Sequence, residues 1–195
     1  LATYTESALG NVDQGWVYPA SGTLNSALGH TAWMYTNDPT TLSIRGPLLN
    51  GLPNTYNYGI TFTNNGDPSA DGWNFIPNPY ASPIDWDSGS VWVKNNVGGV
   101  AVIWDQVGQA YQTAGVIAQG QGFWVQAAVG PLLTSTEAVK TADVNPTFYR
   151  EANAENSKVS ISLTSGRFRD VTTIQFRKEA TDEHDLAYDA YKLKN

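Results

Sequence analysis

The stretch SVWVKNNVGGVAVIWD, residues 90–105, contains two short runs of strand-forming residues separated by a turn signal. Val, Ile and Trp dominate SVWV (90–93) and VAVIWD (100–105), and Gly98-Gly99 lies between them. Similar runs recur along the chain, namely TAWMYT (31–36), YNYGITFT (56–63), GFWVQA (122–127), KVSISL (158–163) and VTTIQF (171–176). Few windows of eleven or more residues avoid Gly, Pro or Asn, so helical periodicity is nearly absent. We therefore predict an all-β fold with little or no helix.

The spacing of these runs also favours one architecture. A parallel sheet needs crossover helices, and the sequence offers none, so an antiparallel, jelly-roll-like β-sandwich is expected. KVSISL and VTTIQF predict a hairpin with one face toward the core and one toward water. Two strands alone are marginal in water, so the strands of residues 158–193 are expected to complete the same sheets. The prediction is a single β-sandwich module over residues 1–195.

Composition and charge exclude several classes of function. The chain has 195 residues with no Cys and 2 His, so thiolate zinc sites, iron–sulfur clusters and cysteine nucleophiles are excluded. Residues 1–145 hold 10 acidic and 3 basic side chains, residues 146–195 hold 8 of each, and the whole net charge of −7 lies in the first part. A nucleic-acid partner would need a basic stripe, and membrane insertion would need about 20 consecutive apolar residues. Neither partner is predicted.

Carboxylates near aromatic rings raise the question of catalysis and of metal binding. Asp85 and Asp87 flank Trp86, and a carboxylate pair is enough for glycoside hydrolysis, but the 18 acidic residues make such pairs common by chance. There is no G-x-S-x-G motif for a serine hydrolase. We therefore predict no enzymatic activity, no catalytic residues and no cofactor. The exception is a possible structural Ca²⁺, because acidic loops supply the oxygen ligands that this ion prefers. The calcium candidates are Asp85, Asp87, Asp182 and Asp185.

Aromatic residues make up 12% of the chain, and several alternate along predicted strands. Alternate residues share one face of a strand, so a pair of rings could form a platform that stacks on the C–H faces of a sugar. The other interpretation is that one ring of each pair belongs to the core. The predicted ligand-binding residues are Trp16, Tyr18, Trp33, Tyr35, Tyr56 and Tyr58.

The segment GWNFIPNPYASPIDWD, residues 72–87, is interpreted as structural. Residues before proline avoid the α region, so Asn78-Pro79 and Ser82-Pro83 predict two stiff corners. Three aromatic residues are expected to pack around this loop while three polar side chains satisfy its backbone. The predicted structural residues are Trp73, Asn74, Asn78, Pro79, Tyr80, Asp85 and Trp86.

The same segment resembles one found in large exported proteins of Bacteroidota that use the type IX secretion system. The strand GQGFWV (120–125) and the terminal stretch from Phe148 to Leu193 follow it in that family's order. The resemblance implies an exported β-sandwich module at the cell surface or outside the cell, in an adhesin-like or polysaccharide-handling protein of a Gram-negative bacterium. Because the sequence begins at Leu1 without Met, a mature fragment or excised module is expected.

Three functions follow from these observations. The leading expectation is a non-catalytic extracellular module that binds a polysaccharide or cell-surface glycan, or mediates adhesion, through exposed aromatic residues. The second is a structural or self-associating module, a filament subunit or spacer, with neighbouring modules of the same protein as partners. The third and least favoured is a glycoside-active enzyme domain.

Overall fold

The computed structural model describes residues 1–8, 12–18, 23–32, 45–46, 55–105, 110–142, 158–166 and 168–175, and the single positions 181, 183, 184, 186 and 189. Within them the chain is all-β, with antiparallel sheets and no α-helix, as predicted. Only two short 3-10 turns, Val12–Gly15 and Glu137–Val139, interrupt the described strands and loops. The arrangement of several packed antiparallel sheets is consistent with a β-sandwich.

Thirteen strands are found in the described residues. They are β1 (Ala2–Tyr4), β2 (Trp16–Val17), β3 (His30–Thr31), β4 (Tyr56–Asn57), β5 (Trp73–Pro77), β6 (Ile84–Asp85), β7 (Trp92–Val97), β8 (Val102–Asp105), β9 (Ala110–Thr113), β10 (Val116–Ile117), β11 (Gly122–Ser135), β12 (Lys158–Ser165) and β13 (Phe168–Gln175). The predicted strands at 90–93, 100–105 and 122–127 correspond to parts of β7, β8 and β11. Most of the predicted strand 31–36 lies outside the described residues.

The long strand β11 organises the largest sheet. Its first half pairs with β5 on one side and meets β8 on the other, while its second half pairs with β7 and β4. β9 extends the sheet beyond β8. The first three strands form a separate sheet in the order β2-β1-β3, and β6 pairs with β10. One strand of 14 residues therefore joins strands drawn from positions 56 to 113.

An irregularity in the middle of β11 lets its two halves bind different neighbours. The register with β7 shifts between Ala127 and Leu132. Gly130 lies there with a positive φ of 70°, and Asn96 on the facing strand has a φ of 53°. The Asn96 side chain donates to the carbonyls of Val129, at 2.8 Å, and Gly130, at 3.3 Å. Such a bulge bends and twists a strand, so it re-aims β11 toward its second set of partners.

Two hydrophobic cores lie on the two faces of the sheet formed by β5, the first half of β11 and β8. The larger core contains Phe123 and Val125 of β11, with Ile76 of β5. The smaller core contains Trp124, with Trp73 of β5 and further aromatic residues of the β2-β1-β3 sheet. Successive residues of a strand point to opposite faces, and here each face is covered by a core. The three consecutive residues Phe-Trp-Val of β11 are therefore all buried.

Residues 72–87 contain β5, β6 and the loop that joins them. Trp73, Tyr80 and Trp86 are at most 3% exposed. The Asn78 amide nitrogen donates to the carbonyls of Ser82 at 2.8 Å and Ala118 at 3.0 Å, and its oxygen accepts the Tyr80 backbone N–H at 2.9 Å. One buried amide therefore holds the turn after β5 against the loop after β10.

The remaining polar and proline residues of this segment have the same local role. Asn74 donates to the carbonyls of Thr61 and Gly72, at 2.8 and 2.9 Å. The Asp85 carboxylate accepts the Asp87 backbone N–H at 2.9 Å, and Pro79 is half-buried. Gly72 immediately precedes β5 with a φ of +75°, and a Cβ there would collide with the Ala127 carbonyl of β11. Only glycine accommodates both constraints.

The hairpin of β12 and β13 is the last pair of strands in the described residues. As predicted, the two strands pair with each other, and they do so over eight residues. Within the described chain they form a two-stranded sheet, with β13 next to β9, and the completion of the other sheets by residues 158–193 stays a prediction. Their apolar face, expected to point to the core, is exposed: Val159 is 48%, Ile161 57% and Leu163 73% exposed. Neither buried core contains a residue of this hairpin.

Candidate functional site

The most exposed tryptophan whose side chain the structure describes is Trp104 of β8, at 40%. Strand alternation turns Ile103 and Asp105 inward, to 4% and 8% exposure, so Trp104 points to the opposite face. Tyr111 of β9 lies directly opposite Trp104 in the ladder, with the ring centroids 5.0 Å apart and the planes at 73°. The two rings thus form an edge-to-face pair at the side of the largest sheet.

Buried rings support this pair from below. Tyr111 is half-buried, and its ring centroid lies 6.4 Å from that of Trp124, which is 2% exposed. Trp124 in turn contacts Tyr4 at 4.7 Å and Phe75 at 4.9 Å. An unbroken series of aromatic contacts therefore runs from the smaller core to the exposed face of Trp104. Rings held in this way present a surface with little conformational entropy left to lose on binding.

A hydroxyl group lies on the same face as the pair. Thr113 of β9 is two residues from Tyr111 and opposite Val102, so it shares the face of Trp104, and it is exposed. We call Trp104, Tyr111 and Thr113 the Trp104 surface. It combines an apolar ring face with hydroxyl groups, which is the chemistry that a sugar requires.

Of the predicted pair Trp16 and Tyr18, the first ring packs in the interior and the second is exposed to solvent. Trp16 is half-buried, and its ring lies within 5.9 Å of Phe75, 5.6 Å of Trp124 and 5.5 Å of Tyr4, all at steep angles. Tyr18 is 78% exposed. Trp16 is therefore part of the packing between the two sheets, and Tyr18 alone of this pair presents a free ring to solvent.

The predicted pair Tyr56 and Tyr58 also fails to form an open platform. Tyr58 is 4% exposed, its hydroxyl lies 3.1 Å from the Ser135 hydroxyl, and burial raises its pKa well above the ordinary value. Tyr56 is half-buried and lies edge-to-face against Tyr58 at 80°, and burial raises its pKa as well. The Tyr58 ring contributes to the larger core. Trp33 and Tyr35 lie outside the described residues.

No pair of aromatic rings in the described part of the chain is coplanar. The smallest angle between contacting rings is 32°, for Tyr58 and Trp92, and both of these residues are buried. A flat row of rings suited to a flat crystalline surface is thus not formed by the described residues. The surface instead offers single ring faces.

The acidic candidates occupy a different part of the fold. Asp85 is half-buried and Asp87 is exposed, next to Lys94. The Lys94 ammonium donates to the Trp86 carbonyl at 2.6 Å and lies 3.7 Å from the centroid of the Trp86 ring. Burial lowers the pKa of Lys94 to about 8, and the carboxylates of Asp87 and Asp85 oppose that shift. This arrangement is a lysine held against a tryptophan face.

The metal prediction has no further support in the described residues. They contain no group of three or more His, Cys, Asp or Glu side chains that could hold an ion. Asp182 and Asp185 lie outside the described residues, and Asp85 already accepts the Asp87 backbone N–H.

Trp104 and Tyr111 are absent from the ligand-binding residues expected from the sequence. The sequence predicts VAVIWD as a strand, but it does not show which of its two faces is exposed. The available signal is a tryptophan and a tyrosine close together in the sequence, which face each other across the β8–β9 pairing.

No protein-family model matches this chain, and no match was found among curated proteins or solved structures. Among the described residues no helix has the length and hydropathy needed to cross a membrane.

Proposed function

We propose that this protein is a non-catalytic module that binds a glycan through the Trp104 surface. The observation that carries the proposal is an exposed tryptophan face, held by a series of packed rings, beside hydroxyl groups. The C–H face of a pyranose stacks on such a ring, while Tyr and Thr hydroxyls bond to sugar hydroxyls. Tyr18, exposed at 78%, is proposed as a second contact for a longer chain.

The geometry favours one kind of glycan within this proposal. A single ring face suits one sugar of a soluble chain, whereas a crystalline polysaccharide face requires several coplanar rings. All contacting ring pairs in the described chain are tilted or edge-to-face. We therefore propose a single soluble chain, a polysaccharide or cell-surface glycan, as the ligand.

The proposed location is outside the cell or at its surface. Its support is the resemblance of residues 72–87 and the later segments to exported modules of the type IX secretion system. The low content of charged residues, 15%, and the absence of Cys are compatible with this location. Binding without turnover is proposed because no carboxylate pair lies within the Trp104 surface.

The experiment is affinity electrophoresis through gels that contain soluble hydroxyethyl cellulose, xylan, β-1,3-glucan or mannan. Oligosaccharides of the polysaccharide that retards the protein are then titrated while the tryptophan fluorescence is recorded. We expect Trp104→Ala to weaken binding at least tenfold, which corresponds to about 1.4 kcal/mol, and Trp104→Phe to weaken it less.

The matched control is Val129→Ala, which removes another exposed apolar side chain, 72% exposed, from the bulge of β11. It is expected to leave binding unchanged. Thermal unfolding of each variant verifies that the fold is retained. Failure of every polysaccharide to retard the wild-type protein would contradict the proposal, as would equal binding by Trp104→Ala.

A further inference from the structure

In the described part of the chain, β12 lies at the edge of its sheet. Within the described chain it pairs only with β13, through eight one-to-one pairs without a bulge. Proteins usually protect such an edge with charges, proline or a bulge. Lys158, at the first position of β12, is its one charged residue, and residues 159–165, VSISLTS, contain no charged residue and no proline. The edge of β12 is therefore open to another strand.

The side chains of β12 add an apolar strip along that edge. Val159, Ile161 and Leu163 alternate along the strand and share one face. They are 48%, 57% and 73% exposed, and Ile174, opposite Val159, is 47% exposed. A protein that exposes such a strip next to an unpaired edge offers both backbone and apolar partners to an added strand.

The register next to the turn shows which backbone groups of β12 point away from β13. Ser165 pairs with Phe168, so two residues of the sequence separate this pair, and the first of them, Gly166, has a φ of +58°. Residues flanking a two-residue loop form a hydrogen-bonded pair, and such pairs alternate along an antiparallel ladder. The N–H and C=O groups of Ser160, Ser162 and Thr164 consequently point away from β13.

We propose that this edge pairs with the same edge of a second copy of the chain, antiparallel and centred on Ile161. In this register Ile161 faces Ile161 of the copy, and Val159 faces Leu163. The outward groups of Ser160 then meet those of Ser162 in the copy. The result is a four-stranded sheet with a continuous apolar strip on one face, and it is independent of the Trp104 surface.

The β12 sequence is self-complementary, and this favours a second copy over other occupants. In the proposed register every apolar residue of 159–163 faces an apolar residue, and no like charges are opposed. A glycan would need an aromatic or polar face, which Val159, Ile161 and Leu163 do not offer. The closed two-fold arrangement also limits assembly to a dimer.

The chain has no cysteine, so a single introduced thiol reports the contact directly. Opposed residues in a non-hydrogen-bonded pair have Cα atoms about 4.5 Å apart, which a disulfide can bridge. We expect Ile161→Cys to give a disulfide-linked dimer on air oxidation. The matched control Ile174→Cys places the thiol on the same face but on β13, and it is expected to remain largely monomeric.

Light scattering after gel filtration tests the same contact without a cross-link. Wild-type protein is expected to be a dimer, and Ser162→Pro a monomer. Proline is tolerated on an edge strand where its N–H would face outward, so this variant keeps the hairpin but removes a central donor.

A monomeric wild-type protein in which Ile161→Cys yields no covalent dimer would overturn the proposal. A dimer that persists in Ser162→Pro would also overturn it, as would a dimer that Ile174→Lys abolishes. The latter result would indicate packing of the two apolar faces against each other.

Discussion

At the scale of single residues, the position of a ring in the fold decides what it does. Trp104 and Trp124 are both strand tryptophans of the same sheet, but one is 40% and the other 2% exposed. The β2-β1-β3 sheet covers Trp124 through Tyr4 and Trp16. Trp104 retains an exposed face at the side of the sheet. A second sheet covers Trp124 and makes it a core residue, whereas Trp104 is left exposed as a candidate ligand residue.

Lys94 shows that the position of a residue in the fold also decides the behaviour of a charged group. Its ammonium lies against the Trp86 ring, and burial lowers its pKa to about 8 from 10.5. Between these two values the unfolded chain binds more protons than the folded protein, so the free energy of unfolding rises with pH. Below pH 8 the full cost of burying the charged form is present.

We predict that Lys94→Met removes this pH dependence. Between pH 7.5 and 9.5 the wild-type protein should gain, relative to the variant, on the order of 1 kcal/mol in its free energy of unfolding, discounted for the partial exposure of the side chain. Urea unfolding at both pH values measures the difference. Equal changes in the two proteins would show that Lys94 titrates alike in the folded and unfolded states.

At the scale of elements, the segment 72–87 behaves as a single structural unit. Its three large rings are buried, and its polar side chains bond to backbone groups of their own loop and of neighbouring loops. Asn78 has the greatest number of such bonds, to Ser82, Ile117 and Ala118 as donor and to Tyr80 as acceptor. It joins the β5–β6 connection to β10.

We predict that Asn78→Ala lowers the free energy of unfolding by about 2–3 kcal/mol, because buried carbonyls and an N–H lose their partner. The control Asn95→Ala changes an exposed residue of β7 and should cost less than about 0.5 kcal/mol. Chemical denaturation of both variants compares them. A similar decrease in the free energy of unfolding for the two variants would mean that water replaces the hydrogen bonds of Asn78 at no cost.

At the scale of the whole molecule, the described residues of both cores all precede the C-terminal hairpin. The last residue of either core is Val139, and the hairpin starts at Lys158. The C-terminal region meets the rest of the described chain where β13 approaches β9 and where the Gly99 N–H donates to the Leu186 carbonyl at 3.0 Å. Among the described residues, most of the buried apolar side chains therefore lie within residues 1–139.

We predict that a chain ending at Ala142 still folds. It should unfold cooperatively and retain the near-UV circular dichroism of the buried tryptophans, with a loss of about 1 kcal/mol from the missing Gly99 bond. It should also be monomeric, since it lacks β12. Loss of cooperative unfolding would show instead that residues beyond 142 belong to the cooperative unit.

The absence of helical periodicity and the abundance of β-branched and aromatic runs predicted the all-β class, and the alternation of KVSISL and VTTIQF predicted the β12–β13 pairing. The prolines and asparagines of residues 72–87 indicated a stiff loop, and its buried rings and bonded amides are found there. These features depend on neighbours a few residues apart. Local backbone preferences and side-chain alternation are therefore sufficient to determine them.

The exposure of rings and strand edges was decided only by the tertiary structure. Alternation predicted Tyr56 and Tyr58 on one face of a strand over 56–63, but β4 ends at Asn57. Tyr58 is buried because it packs against Trp92 and Ser135, far away in the sequence. Side-chain alternation also predicts an apolar face on β12. Whether another sheet covers that face depends on contacts with distant parts of the chain, which alternation does not encode. Burial is a property of long-range packing, so the sequence predicted the all-β class and several of the strands, whereas the tertiary structure decided which of their faces stay exposed.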